Sequence, residues 1–307
     1  MQHYHNLTDL QLKNSLVTIG SFDGVHIGHQ QIIQDLVGRS QKAGIPTAVI
    51  TFHPHPQLVI NEDSRPYYLT MPEDRACLLG KMGVDFVLTY PFDREVSQLS
   101  AESFVSGLHE RFHFSELWVG YDFALGKDRE GTPDRLKELG EKFGFSVHEI
   151  PAYEYEGELV SSSSIRKKIR DGDVKGAAKL LGRPFEITGD VIKGENRGKS
   201  LGFATSNLSV PPEVVDIKPG VYACEAELDG EKFNAVTNIG FRPTFGDGID
   251  SPRIEAHLLD FSRDLYGQQL MLSFIDRLRD EMKFEKVSDL IQQIRSDVER
   301  ARYILEN

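Results

Sequence analysis

The chain has 307 residues, 39% of them hydrophobic and 27% charged, a composition ordinary for a globular protein with room for about two domains. Its formal charge of -12, from 35 Lys and Arg against 47 Asp and Glu, argues against a surface built for nucleic acid or anionic lipid, so anionic substrates would need local basic loops. No apolar run approaches the roughly 18 residues of a spanning helix, MQHYHNLTDL has no signal-peptide pattern, and Cys77 and Cys224 belong to no CxxC pair, so a cytoplasmic protein with reduced thiols is expected.

Leu16 to Ile19 reads as a buried parallel strand. It runs into Gly20-Ser21-Phe22-Asp23-Gly24-Val25-His26-Ile27-Gly28-His29, after which Ile32, Ile33, Leu36 and Val37 share one helical face. Glycines permit the tight turn, and His26, Gly28 and His29 fall where a helix start offers unpaired amides and a positive dipole end to a phosphate chain. Two imidazoles there can donate to phosphoryl oxygens and share the charge of a departing pyrophosphate. Histidines that only cap the helix are the alternative. GSFDGVHIGH resembles the HxGH signature of the nucleotidylyltransferase superfamily, in the form carried by bacterial bifunctional riboflavin kinase/FMN adenylyltransferases, also called FAD synthetases. The resemblance implies that Gly20, Phe22, Asp23, Gly24 and Gly28 line the nucleotide site and that His26 and His29 act in catalysis.

A second strand is expected over Thr47 to Phe52, ending in His53-Pro54-His55-Pro56, which reads as a fixed loop at a strand's C-terminal end, where open α/β sheets bind ligands. A zinc cluster of His26, His29, His53 and His55 is disfavoured, since HxxH and HPH lack the i, i+4 spacing and the carboxylate of common zinc sites. FHPHP resembles the family's second fingerprint, which implies that His53 and Pro54 shape the nucleotide and flavin pocket. A loop histidine bonded to backbone is the alternative.

The pattern continues with a helix from Pro72 to Met82, a strand from Val84 to Tyr90, a loop from Phe92 to Leu99, a helix from Ala101 to Phe112 and a strand from Glu116 to Val119. Alternating strands and helices predict a doubly wound parallel sheet, Rossmann-like under the resemblance. GYDFALG, at 120–126, resembles the family's GxDFxFG with Leu125 in place of an aromatic. Asp122 there could meet a ribose hydroxyl or magnesium, or be a turn aspartate, and Lys127 and Arg129 could clamp an anion. Ser161 to Arg166, SSSSIR, reads as a second anion cradle facing the first, built from a capping serine, backbone donors and an arginine. It resembles SSTxIR, which implies that Ser162, Ser163, Ser164 and Arg166 close over the triphosphate. A short helix from Asp173 to Leu181 stops at Gly182, where the α/β pattern ends, giving domains 1–182 and 183–307.

From Phe185 onward, short β-branched and aromatic runs at 185–192, 220–228, 232–239, 253–259 and 269–278 predict a small antiparallel barrel followed by a C-terminal helix. Gly194 stands one position late for a P-loop. With LGFATSNL, the segment instead resembles the flavokinase pattern GxVxxGxxxGxxLGFPTANL, with Ala204 and Ser206 for the usual proline and alanine. This implies Gly194 and Gly198 at the nucleotide, and Thr205 and Asn207 as oxygen ligands of magnesium and ATP phosphates. NIGFRPTF and RLRDEMKF resemble two further segments, implying cofactor contacts for Asn238 and a lid containing Arg279. Glu255 and His257 share one face of a strand. Glu255 matches the family's general base, and a solvent-facing glutamate is the alternative. The final helix reads as a packing stripe without chemistry.

The resemblance thus implies ATP-dependent phosphorylation of riboflavin to FMN in the second domain and adenylylation of FMN to FAD, with loss of pyrophosphate, in the first. The cofactors are magnesium and ATP as co-substrate, and the partners are small molecules, with no nucleic acid or membrane and a weak homo-oligomer left open. Two rivals stay open: a protein retaining one of the two activities, and a non-catalytic flavin binder.

Overall fold

The computed structural model describes residues 1–63, 65–193, 203, 205–241 and 252–307. Met1–Arg65 with Thr70–Ser162 form one unit, and Pro66–Leu69 with Ser163–Asn307 the other.

In the first unit the elements are β1 (Gln2–Tyr4), β2 (Ser15–Ile19), α1 (Ile27–Ala43), β3 (Thr47–His53), α2 (Pro56–Ile60), α3 (Pro72–Lys81), β4 (Phe86–Pro91), α4 (Arg94–Ser97), α5 (Ala101–Phe112), β5 (Phe114–Gly120), α6 (Pro133–Phe143), β6 (Ser146–Ile150) and a hairpin of β7 (Glu154–Tyr155) and β8 (Glu158–Leu159). The sheet order among the described residues is β1-β4-β3-β2-β5-β6, every pair parallel. Successive strand side chains take opposite faces. Val17, Ile19, Ala48 and Ile50 therefore pack against Phe104 and Leu108 of α5 and Leu136 of α6. Val49 and Val87 pack against Ile33 of α1 and Ala76 and Leu79 of α3. Helices cover both faces of β2, which is buried along its whole length, as a doubly wound sheet requires.

Two segments differ from the sequence reading. The 92–99 loop contains α4, because Asp93 accepts the Val96 amide at 2.8 Å and caps a turn. The HPHP segment starts α2 at Pro56, a first helical position where a missing N–H costs nothing, with His55 as the cap.

The second unit has α7 (Ser162–Asp171), whose first residue belongs to the other unit, α8 (Val174–Leu181), β9 (Phe185–Ile192), β10 (Ser206–Ser209), β11 (Gly220–Leu228), β12 (Glu231–Phe241), β13 (Pro252–Leu258), β14 (Gln269–Arg279) and α9 (Val287–Glu306). The strands close an antiparallel barrel in the order β10-β13-β12-β11-β14-β9. Inside, the Phe274 ring meets Phe185 at 5.9 Å and Tyr222 at 5.3 Å. Cys224 is also interior, and burial pushes its thiol up to about 12. On the outer wall, Val221, Ala223 and Val236 pack against Val298, Ala301 and Leu305 of α9.

Candidate active sites

β2 ends at Ile19, and Gly20 turns the chain toward α1. A Cβ at Gly20 would lie 3.1 Å from the Phe22 ring, and Phe22, Gly24 and Val25 all have positive φ (47°, 84° and 41°), so the turn is tight and held in a strained form. His26 caps α1 by accepting the His29 amide on Nδ1 at 3.2 Å, and the two rings stack at 3.6 Å. Accepting at Nδ1 leaves the proton of a neutral His26 on Nε2. Gly28 lies beneath: a Cβ there would come within 3.3 Å of both the His26 ring and Tyr153.

A buried polar network holds this loop from behind. Asp23 is fully buried and accepts from the Thr70 amide at 3.0 Å, with Arg75, equally buried, 3.7 Å away. Arg75 also donates to Thr51 Oγ1 at 2.8 Å and to Thr70 O at 2.9 Å, while Thr51 donates to Ser21 O at 2.7 Å. Ser162 Oγ donates to Asp23 O at 2.8 Å. The Asp23 carboxylate thus braces the turn from behind.

His53 ends β3 half-buried, Pro54 is exposed, and His55 spends Nδ1 on the Gln57 amide at 3.2 Å. Asp122 is exposed just past β5, the neighbour of β2 at the point where strand order reverses, the usual ligand crevice of such sheets. Arg129 donates to its carbonyl at 3.1 Å, and a shallow cavity of about 400 Å³ opens between these two residues and Thr132. A larger hollow of about 580 Å³, among Met1, Lys13, Asn14 and Pro46, lies at the opposite end of the strands. In the second unit, Ser163 is exposed and Ser164 half-buried in the first turn of α7. Arg166 is buried there, its guanidinium 3.6 Å over the Tyr67 ring and its Nε donating to Tyr67 O at 2.8 Å.

The barrel builds its site by register. Glu255 on β13 lies opposite both Asn207 of β10 and Asn238 of β12, Asn238 lies opposite Val221 of β11, and Val221 opposite Arg279 of β14. This row crosses the outer wall under α9 and borders a cavity of about 350 Å³, also lined by Phe203, Thr205, His257, Leu290 and Ile294. Arg253 pairs with Glu255 and donates from Nε to Asn207 Oδ1 at 3.3 Å. Arg279 donates to Asp297 of α9 at 3.0 Å from Nε and 2.8 Å from Nη2. Gly194 and Gly198 lie outside the described residues.

The last helix therefore does more than pack. Asp297 is 5% exposed and sits on the stripe Leu290, Ile294, Asp297, Ala301 at helical spacing. An acid on an otherwise apolar stripe was the available signal for its role. Arg253, missed in the sequence, gave no such sign.

A parallel-sheet unit with a histidine-bearing loop at its switch point, and a barrel with a glutamate between two amides at a cavity wall, fit a two-site phosphoryl- and nucleotidyl-transfer protein. A family model described as FAD synthetase matches residues 9–164, and one described as riboflavin kinase matches 181–305. Proteins named bifunctional riboflavin kinase/FMN adenylyltransferase are 38% identical in Pseudomonas fluorescens, over 97% of this chain and 95% of the relative, and 34% identical in Bacillus subtilis, over the same shares. The one in Escherichia coli K12 is 37% identical, again over 97% and 95%. A crystal structure described as a macrolide-efflux protein from Streptococcus pneumoniae matches 98% of each chain with a TM-score of 0.89 and 31% identity. Among the described residues, no helix is long and apolar enough to cross a membrane. The chain belongs to the bifunctional riboflavin kinase/FMN adenylyltransferase family.

Proposed function

We propose that the cavity under α9 phosphorylates riboflavin and that the loop of His26 and His29 adenylylates the FMN produced. The chain is an enzyme of both activities: riboflavin and ATP give FMN, and FMN and a second ATP give FAD and pyrophosphate. The observation that carries the residue assignment is the placement of Glu255 between Asn207 and Asn238 at the cavity wall.

In the kinase step Glu255 accepts the proton of riboflavin's 5′-hydroxyl as that oxygen attacks the γ-phosphorus and the bond to ADP breaks. Arg253 holds the carboxylate in place, and Asp297 holds Arg279 at the cavity for contact with the substrate pair. The Thr205 hydroxyl and the Asn207 carbonyl are neutral, hard oxygen donors beside a carboxylate, a set that suits magnesium, which when bound would offset phosphate charge. Gly194 and Gly198 are assigned to the nucleotide, and Asn238 to a cofactor contact, by their motifs.

In the adenylyl step an FMN phosphate oxygen attacks the α-phosphorus and pyrophosphate leaves, so no protein nucleophile is needed. His26 and His29 donate to phosphoryl oxygens as charge builds on the leaving group, with Gly20, Phe22, Gly24 and Gly28 shaping the approach and Asp23 bracing it. Ser162, Ser163, Ser164 and Arg166 are assigned to the triphosphate, His53 and Pro54 to the flavin and nucleotide pocket, and Asp122 to the ribose or metal. The functional boundary is placed at 182/183 and the site of action in the cytoplasm.

A time course with riboflavin, ATP and magnesium, resolved by chromatography, tests this reading. FMN should rise and then convert to FAD. Glu255→Gln should lower FMN formation about 100-fold or more while leaving FAD formation from supplied FMN, and His29→Ala should do the reverse. Loss of both activities in either variant overturns the two-site assignment.

A further inference from the structure

A second set of histidines lies at the edge of the sheet, His3 on β1 and His5 just past its end, and the one ladder partner of β1 among the described residues is β4. The chain bends after Tyr4 and brings the His5 ring against that of His3, with ring centroids 4.4 Å apart. Glu73, in the first turn of α3, faces both: His3 Nδ1 is 3.0 Å from Glu73 Oε2, and His5 Nε2 is 3.5 Å from Glu73 Oε1. One ligand atom from each of the three lies within 4.8 Å of the others. A tetrahedral zinc ion, with bonds of about 2.0–2.1 Å, separates its ligands by about 3.3 Å. The two His–Glu73 separations, 3.0 and 3.5 Å, bracket that value, and the loosest pair of the cluster lies within 4.8 Å.

The surroundings fit a metal-binding imidazole as well. The other ring nitrogen of His3, Nε2, is 2.9 Å from Thr89 Oγ1, the outer hydrogen bond that fixes ring orientation at metal sites. When Thr89 accepts that bond, Nδ1 turns a lone pair toward the carboxylate, and a cation between them makes the contact attractive. The loop histidines differ, since His26 and His55 each spend Nδ1 on a backbone amide. His5 and Glu73 are exposed, which gives an ion a way in.

We propose that His3, His5 and Glu73 bind one zinc-class divalent cation, with water in the fourth position, and that the ion staples the edge strand β1 to α3. Two imidazoles and one carboxylate select a borderline ion over magnesium or calcium, which take oxygen donors. This site is independent of the assignments made for the two active sites.

The test uses the untagged full chain, stripped by chelation and titrated with Zn²⁺ by calorimetry and with Co²⁺ by visible absorption. One equivalent should bind, with the intense bands of four-coordinate cobalt, unaffected by excess magnesium and raising the melting temperature. His5→Ala and Glu73→Gln, both at exposed side chains and checked for folding by circular dichroism, should each weaken binding at least about tenfold. An Asn207→Ala chain should bind zinc as before. No binding at one equivalent, or binding that survives both His5→Ala and Glu73→Gln, overturns the proposal and leaves an ordinary hydrogen-bonded His–Glu cluster.

Discussion

The parallel-sheet unit and the barrel unit both fix the groups proposed to handle phosphate, and they do it by opposite means. In the first, His26 and His29 stand on a turn with three positive φ angles, and the turn is fixed from outside by a buried network of Asp23, Thr70, Arg75 and Thr51. In the second, Asn207, Glu255, Asn238 and Arg279 stand on strands, and the backbone ladder itself spaces them. A site on a loop needs a dedicated scaffold, whereas a site on a barrel wall inherits one.

The sharpest way to break this contrast is Arg75→Met. It leaves the fully buried Asp23 carboxylate without its cation, which should destabilise the first unit by about 3–5 kcal/mol. Urea unfolding should show the loss, while FMN formation below the midpoint persists. Equal loss of both activities would mean that the network is not local to one unit. A smaller effect is expected from Asp297→Asn, which weakens the grip on Arg279. The kinase KM should rise about tenfold, the size of one charge-assisted hydrogen bond, with kcat nearly unchanged and FAD formation from FMN untouched. A fall in kcat alone would move Arg279 from binding to the chemical step. The mildest probe is thiol labelling of the native chain at pH 8. Exposed Cys77 should react, and Cys224, inside the barrel with its thiol at about 12, should react only after unfolding.

What the sequence made legible follows from the same contrast. GSFDGVHIGH is contiguous, so its turn, glycines and helix start can be read in a line, and the α5 periodicity gives Ala101–Phe112 to the residue. The Asp23–Arg75 pair joins positions 52 apart, counting from 23 to 75, and Arg75 reads in isolation as an ordinary helix-surface cation. The barrel row is less legible still, because register is a property of pairs of strands and no single segment carries it. Asp297 shows in the sequence only as an acid on an apolar helical stripe, and its meaning depends on Arg279 arriving from β14. β1 is only three residues long, too short for its alternation to show.

The barrel row also constrains how this protein can vary by descent. Replacing Glu255 subtracts one group, but deleting a single residue within β13 shifts the strand by one pairing step and exchanges its two faces. Ile254 or Ala256 would then stand toward the cavity, and Glu255 would turn into an interior packed with Phe185, Tyr222 and Phe274. Length is therefore guarded more strictly than identity inside these strands. Insertions and deletions belong in the connections, where they leave the alignment of Asn207, Glu255 and Asn238 intact.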